Sequence, residues 1–347
     1  MKRIIYPERD NWQQRHFDIG FDYYNLPSTD GSIYWSEGVS YEFHLKQIEQ
    51  LEDAANELHQ MCLQVVDRII QSGDYPDYFQ IPQTAIPSIE HSWKSKAPML
   101  YGRFDFAYDG QNIKMLEYNA DTPTGLLEAS VAQWHWIEEV QNVPHRDQFN
   151  SIHEDLIERW KQLFAPKTLV HFAACQEAGR EDWGNLEYLM DTAFQAGLSV
   201  SELSMENLGW DQTQFVDLND QAINHLFKLY PWEWIWEENF STFIKPDSQW
   251  IEPCWKMLLS NKAILVELWK QFPHHPLLLE SHAFNPNDRF NGKWVRKPIL
   301  AREGANMATS CKNGRQRLYM KVCYLHSDYG WSVMNVQDYP SVKMSMT

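Results

Sequence analysis

Apolar residues recur at steps of three to five through Phe43, Ile48, Leu51, Ala55, Leu58, Cys62, Val65 and Ile69. That stripe predicts a long amphipathic helix over residues 41–70. The stretch before it, residues 1–35, is aromatic, rich in turn formers and without a period, and reads as irregular. After the helix, Asp74-Tyr75-Pro76 opens a loop that runs to Pro98 through further prolines. Apolar strand patterns then flank Asp109-Gly110-Gln111-Asn112, predicting a hairpin of strands over 100–108 and 113–119. Residues 124–140 have helical spacing through Leu127, Val131, Trp134 and Ile137. Further along come a buried-type strand over 167–174, a helix over 183–196 closed by Gly197, and a strand over 198–203. A strand–helix–strand unit of this kind is built on parallel sheet. A short helix over 261–271 and a strand over 294–299 follow, the latter entering the loop 301–306. The class is mixed α/β. With no internal repeat, low-complexity tract or long Gly/Ser linker, residues 1–347 read as a single domain.

Composition narrows the function classes. Of 347 residues, 44% are hydrophobic and 14% aromatic, with 16 Trp, enough for a sizeable core. The formal net charge of -17 argues against nucleic acid as the main partner. It leaves a nucleoside triphosphate open, because a few lysines and metal ions invert the local field. No apolar stretch approaches the ~20 residues of a membrane span. The start, Met1-Lys2-Arg3-Ile4-Ile5-Tyr6-Pro7, has no apolar segment of signal-peptide length. Five cysteines (62, 175, 254, 311 and 323) are odd in number and never in C-x-x-C spacing. They predict free thiols in a reducing cytoplasm. His274-His275, flanked by Pro273 and Pro276, reads as structural rather than as a metal site.

Arg103, Asp105, Glu117 and Asn119 interrupt the otherwise apolar strands of the hairpin. One polar face on a half-buried hairpin can simply be solvated. The same groups can also form a hard-oxygen site for Mg²⁺, with Arg103 clamping a transferring phosphoryl group. The second reading makes a geometric demand. Side chains alternate along a strand, so odd-numbered residues must pair with odd-numbered ones across the ladder to share a face. A two-residue Asp109-Gly110 turn would pair Tyr108 with Gln111 and split the set. A loop with an odd number of residues, or a bulge, is therefore expected.

The segment from Met115 to Thr124, with Glu117-Tyr118-Asn119-Ala120-Asp121 at its centre and Glu128-Ala129 beyond, resembles the E-Y-N-A-D segment of glutathionylspermidine synthetases. More closely, it is similar to their stand-alone acid–amine ligase relatives, which lack the amidase domain. The resemblance continues through Asn11-Trp12, Tyr34-Trp35, Gln133-Trp134-His135-Trp136, Glu181-Asp182, Asn261-Lys262-Ala263-Ile264-Leu265, Phe272-Pro273-His274-His275, Val295-Arg296-Lys297-Pro298 and Arg302-Glu303-Gly304-Ala305-Asn306. It implies an ATP-grasp-type fold with an N-terminal pre-ATP-grasp-like portion. The implied activity is ATP-dependent ligation of a carboxylate to an amine through an acyl phosphate, with ATP and Mg²⁺. Asp105, Glu117 and Asn119 would hold magnesium, and Arg103 would meet the γ-phosphate or the acyl phosphate. Lys262 and Lys297 would hold ATP phosphates. Gly304, Ala305 and Asn306 would close over the nucleotide, where a missing Cβ lets backbone N–H groups approach an anion. Gln337 would join the nucleotide site, and Thr122 and Glu181 the substrate site.

The implied partners are a small-molecule or peptide carboxylate and an amine such as a polyamine. The segment Lys228-Leu229-Tyr230-Pro231-Trp232-Glu233 departs from glutathione-binding members, which carry a threonine before the tryptophans. Two alternatives stand beside the leading one: the same chemistry on an unrelated peptide and amine, and a nucleotide-binding protein without catalysis. The resemblance also implies further strands after Gln337-Asp338-Tyr339, one with a glycine-rich stretch and an arginine. Residues 340–347 contain neither. The expectation is therefore a domain short of its C-terminal strands, with weak ATP binding and slow ligation.

Overall fold

The computed structural model describes residues 1–26, 33–143, 147–283, 293–300 and 317–322. The stretch read as irregular folds into β1 (Lys2–Ile5), α1 (Trp12–Asp18) and β2 (Val39–Glu42), with β1 antiparallel to β2. Its aromatics carry no period because they pack edge-on around His16 and Phe21, both fully buried. Arg9 adds ion pairs to Glu37 at 2.6 Å and Glu139 at 2.8 Å. The predicted long helix is α2 (Leu45–Ser72), ended by Gly73 at φ 65°. It begins later than the stripe suggests because Tyr41 and Glu42 belong to β2. The loop running to Pro98 contains α3 (Ile86–Lys94), whose proline sits in the first turn, where its missing N–H costs nothing.

The hairpin is β3 (Arg103–Tyr108) and β4 (Ile113–Asn119). The helix predicted over 124–140 is a π-helical turn, Glu128–Ala132, leading into α4 (Gln133–Glu139). No element was expected where α5 (Ile152–Leu163) lies. Next, β5 (Leu169–Ala174), α6 (Arg180–Gln195) and β6 (Ser199–Ser204) form the expected parallel unit, Leu169 opposite Ser199. Two-residue strands β7 (Gly209–Trp210) and β8 (Phe215–Val216) form a small antiparallel pair. β9 (Leu226–Leu229), α7 (Trp232–Ile235) and β10 (Trp250–Ile251) then extend the parallel sheet to the order β10-β9-β5-β6. α8 (Met257–Ser260) and α9 (Ile264–Gln271) precede a second sheet, β11-β13-β12, built from β11 (Ser281–His282), β12 (Lys293–Pro298) and β13 (Arg317–Val322).

Apolar burial forms two main bodies. One packs α2, α3, α8 and α9 around Phe104, Met115 and Tyr118 of the hairpin. The other surrounds the parallel sheet through Trp160, Phe172 and Phe227. The hairpin packs into the first body and Leu100 and Tyr101, just ahead of β3, into the second, and two buried ion pairs fix its open end. Ahead of β3, Glu252 accepts from the Leu100 and Tyr101 N–H groups at 3.0 and 2.9 Å and pairs with Lys256, which also donates to Tyr101 O at 2.6 Å. After β4, Asp121 accepts from Lys228 Nζ at 2.5 Å and from Trp232 N–H at 2.9 Å. Burial pushes Glu252 up and Lys256 down, and each charge resists the other's shift. Desolvation nearly cancels the attraction in such pairs, yet removing one partner costs ~3–5 kcal/mol. They specify geometry more than they add stability.

Among the described residues, Cys62, Cys175 and Cys254 are free, and burial raises the pKa of the Cys62 and Cys254 thiols. Cys62 and Cys254 are packing residues rather than nucleophiles, and the Cys175 thiol donates to Glu206 at 3.1 Å. His275 faces Glu57 at 3.2 Å, and among the described residues no group of three His, Cys, Asp or Glu side chains converges on a metal position. Nor is any helix there long and apolar enough to cross a membrane. The loop 301–306, Gln337 and residues 340–347 lie outside the described residues.

Three half-buried or buried histidines set the acid side of stability. Burial, helped by the nearby Lys256 charge, lowers the His59 pKa to about 4, and burial also lowers those of His171 and His225. Below pH 6.5 the unfolded chain takes up protons that the folded one refuses. The histidines' contribution is therefore fully present above that pH and is lost as pH falls towards about 4. Chemical denaturation across this range should show the decline. His59→Gln should flatten its slope by up to about 1.4 kcal/mol per pH unit. An unchanged slope would contradict the assignment.

Candidate active site

The loop of the hairpin, 109–112, has four residues, with Asp109 N–H donating to Asn112 O at 3.3 Å. Near the turn the register is of the wrong parity, with Tyr108 opposite Ile113 and Phe106 opposite Met115. Between Asp105 and Phe106 it shifts, so that Asp105 lies opposite Glu117 and Arg103 opposite Asn119. Leu116 is the extra residue of a β-bulge. Of the two solutions expected from strand parity, the chain uses the bulge. Phe104 and Tyr118 keep their stacked rings in the core, centroids 3.9 Å apart, while Arg103, Asp105, Glu117 and Asn119 share the opposite face.

On that face Arg103 grips Asp105 with two nitrogens, Nε to Oδ1 at 2.8 Å and Nη2 to Oδ2 at 3.3 Å. Its Nη1 donates to Thr124 O at 3.0 Å. The Asn119 amide nitrogen lies 3.3 Å from Glu117 Oε1 and 3.5 Å from Asp105 Oδ2, so one amide reaches both carboxylates. The bulge has a second consequence. The carbonyl of Leu116 accepts from Lys297 Nζ at 3.2 Å, which brings β12 over the hairpin. Lys297 lies 3.9 Å and Lys262 3.4 Å from Glu117 Oε2. Both lysines are at least nine-tenths buried.

Burial alone would raise the Glu117 carboxyl, but the Lys262 and Lys297 ammonium groups hold it at about 2. Burial pushes Lys297 down, and Glu117 resists that shift. Burial also works against the Arg103 charge, yet Asp105 outweighs it and raises the guanidinium above its ordinary value. The face thus holds two carboxylates against three cations, with Glu117 ionised. The donor set suits a hard divalent cation: two carboxylates, and an amide that now donates to both and whose oxygen could turn to a cation seated between them. Magnesium takes its remaining ligands from water and phosphate, so two protein carboxylates suffice.

The proposed site residues therefore divide into four groups. Arg103, Asp105, Glu117, Asn119, Lys262 and Lys297 converge. Glu181, in the first turn of α6, is linked to them indirectly, accepting from Thr124 Oγ1 at 2.7 Å. Thr122 is half-buried in the segment after Asp121, while Gly304, Ala305, Asn306 and Gln337 lie outside the described residues. Sequence reasoning missed Thr124, whose carbonyl and hydroxyl join Arg103 to Glu181, and Asn185, whose Oδ1 accepts from the Gly125 and Leu126 N–H groups at 2.9 Å. A carboxamide on an otherwise helical stretch carries no sequence signal of that role. Lys228 did carry one: a lysine within Leu226-Phe227-Lys228-Leu229 marks a buried charge that needs a partner.

The chain is similar to several known proteins. The family described as glutathionylspermidine synthase preATP-grasp matches residues 3–343. A Haemophilus influenzae protein, provisionally named an acid–amine ligase, is 50% identical over 321 residues, covering 90% of this chain and 81% of its own. The Escherichia coli bifunctional glutathionylspermidine synthetase/amidase is 28% identical over 287 residues, 75% of this chain and 46% of its own. Trypanothione synthetase of Crithidia fasciculata is 26% identical over 307 residues, 79% and 45% respectively. The chain thus spans less than half the length of these two relatives. Among solved structures, a glutathione synthetase-like effector from Globodera pallida superposes with a TM-score of 0.54 at 11% identity, over 92% of this chain and 84% of that one. It supports the fold alone. The chain belongs to the glutathionylspermidine synthase family, a group of ATP-dependent carbon–nitrogen ligases with an ATP-grasp-type fold.

Proposed function

We propose that this chain activates a carboxylate with ATP and transfers the acyl group to an amine, with a peptide-like acid and a polyamine or other amino compound as substrates. The observation that carries the reading is the meeting of Lys262, Lys297 and Arg103 with Asp105, Glu117 and Asn119 on one hairpin face. Cations beside carboxylates suit a triphosphate and its metal better than they suit a solvated surface, because the lysines are buried. The names of the glutathionylspermidine and trypanothione synthetases support the substrate class.

In this reading a substrate carboxylate oxygen attacks the γ-phosphorus, and the bond to the bridging oxygen breaks to release ADP. The amine nitrogen then attacks the acyl carbon. Phosphate departs, and the amine loses a proton to leave an amide. Arg103 places its guanidinium on the transferring phosphoryl group, and Lys262 and Lys297 hold the ATP phosphates. Asp105, Glu117 and Asn119 would hold Mg²⁺, which neutralises phosphate charge when bound. Thr122 and Glu181 would contact substrate, and Gly304, Ala305, Asn306 and Gln337 the nucleotide. No step requires a cysteine.

ADP release measured across a panel of peptides and amines tests the reading directly. Sustained release over many turnovers should need an acid, an amine and a divalent cation together, whereas nucleotide binding without turnover on any pair would contradict it. Lys297→Ala should weaken ATP binding by roughly 10- to 100-fold, as expected for a lost charged hydrogen bond of ~1.5–3 kcal/mol. Arg103→Gln should lower kcat by about 10²–10³ with a smaller change in KM. Glu117→Gln should abolish metal-dependent turnover, and hydrolysis of ATP at the parental rate by that variant would show the metal assignment to be wrong.

A further inference from the structure

The residues just after β4 are held from two directions by side chains that the proposed chemistry does not use. Asp121, two positions beyond Asn119, is only 2% exposed and bonds Lys228 Nζ at 2.5 Å and Trp232 N–H at 2.9 Å. Lys228 is fully buried, its ammonium 4.7 Å from the Trp232 ring centroid. From the other direction, Ser260 Oγ accepts from both the Ala120 N–H at 3.0 Å and the Asp121 N–H at 2.7 Å. Ser260 closes α8, and Lys262 follows two residues later. Between them Asn261 donates to Phe79 O at 2.7 Å, while the Lys262 N–H donates to Ile299 O at 3.1 Å. One hydroxyl therefore joins the strand carrying Glu117 and Asn119 to the turn carrying Lys262.

We infer that Ser260, braced by the Asp121–Lys228 pair, is a positioning residue that fixes the distance between the Glu117–Asn119 edge and the Lys262 ammonium, and thereby tunes affinity for the metal–nucleotide. The inference rests on the ligase reading above. A hydroxyl oxygen has two lone pairs and can satisfy two N–H donors at once. Alanine at 260 would leave both donors without their acceptor, and the strand end would move to find another. Asp121 and Lys228 anchor that strand end to β9, so the movement falls on the contact with the Lys262 turn. The 3.4 Å separation of Lys262 from Glu117 is the distance that changes. Affinity for a ligand held by both groups falls steeply with such misplacement.

Asp121→Asn strands a buried ammonium and can simply unfold the chain, so the deciding variants are at Ser260. Each is titrated with MgATP while the rise in Tm is followed, which reads binding independently of turnover. Ser260→Ala should need about tenfold more MgATP than the parent for the same rise, and Ser260→Thr, which keeps the hydroxyl, should return to within about threefold. A lower Tm without ligand is expected for any lost hydrogen bond and does not decide the matter. Folded Ser260→Ala that reaches the parental rise at the parental MgATP concentration overturns the inference. A parent protein that gains no stability from MgATP overturns the ligase reading and this inference with it. That outcome is recognisable because the parent itself then shows no response.

Discussion

Strand parity is the constraint on which the site depends. Side chains alternate across a sheet, so a ladder of fixed register divides any set of residues between core and exterior. In this hairpin the register near the turn would send Glu117 and Asn119 to the side opposite Arg103 and Asp105. The extra residue Leu116 removes the conflict without disturbing the aromatic core, where Phe104 still stacks on Tyr118. Its own carbonyl then receives Lys297. A single irregularity both assembles the carboxylates and anchors a cation beside them.

A bulged, two-stranded hairpin is not rigid by itself. Rigidity comes from its open end, where Glu252–Lys256 and Asp121–Lys228 fasten the entry to β3 and the exit from β4. Lys228 belongs to β9 of the parallel sheet, and Lys256 directly precedes α8, so the two pairs tie the hairpin to two different elements. Apolar contacts tolerate sliding, whereas a buried charge with two or three fixed hydrogen-bond partners does not. The same low dielectric that makes these pairs exacting strengthens the interactions among Arg103, Glu117 and the site lysines. Asp105 and Glu117 face three cations there, Arg103, Lys262 and Lys297, and the excess positive charge is available to phosphate.

The sequence exposed those parts of this arrangement that rest on period. The 3.6-residue stripe located α2, and alternation located the hairpin; the run of β5, α6 and β6 announced parallel sheet. Period-two reasoning also required an odd loop or a bulge, although it could not say which. Shorter elements escaped: β9 and β10 have four and two residues, too few for a pattern. The N-terminal aromatics escaped because their order comes from ring packing and the Arg9–Glu37 pair. In the site, Lys262 and Lys297 look like any surface lysine until a resemblance singles them out, and their burial explains why they differ. Asn185 and Ser260 cap backbone N–H groups, and Thr124 joins Arg103 to Glu181; folding alone brings these partners close, so nothing in local sequence marks them.

The central claim is that this face passes a phosphoryl group to a carboxylate before the amine attacks. Carboxylate labelled with oxygen-18 reports on that step, because the oxygen that attacks phosphorus leaves with the phosphate. With an acid and amine that support ADP release, the account predicts one labelled oxygen in each phosphate released alongside amide. Amide formation accompanied by unlabelled phosphate would contradict it.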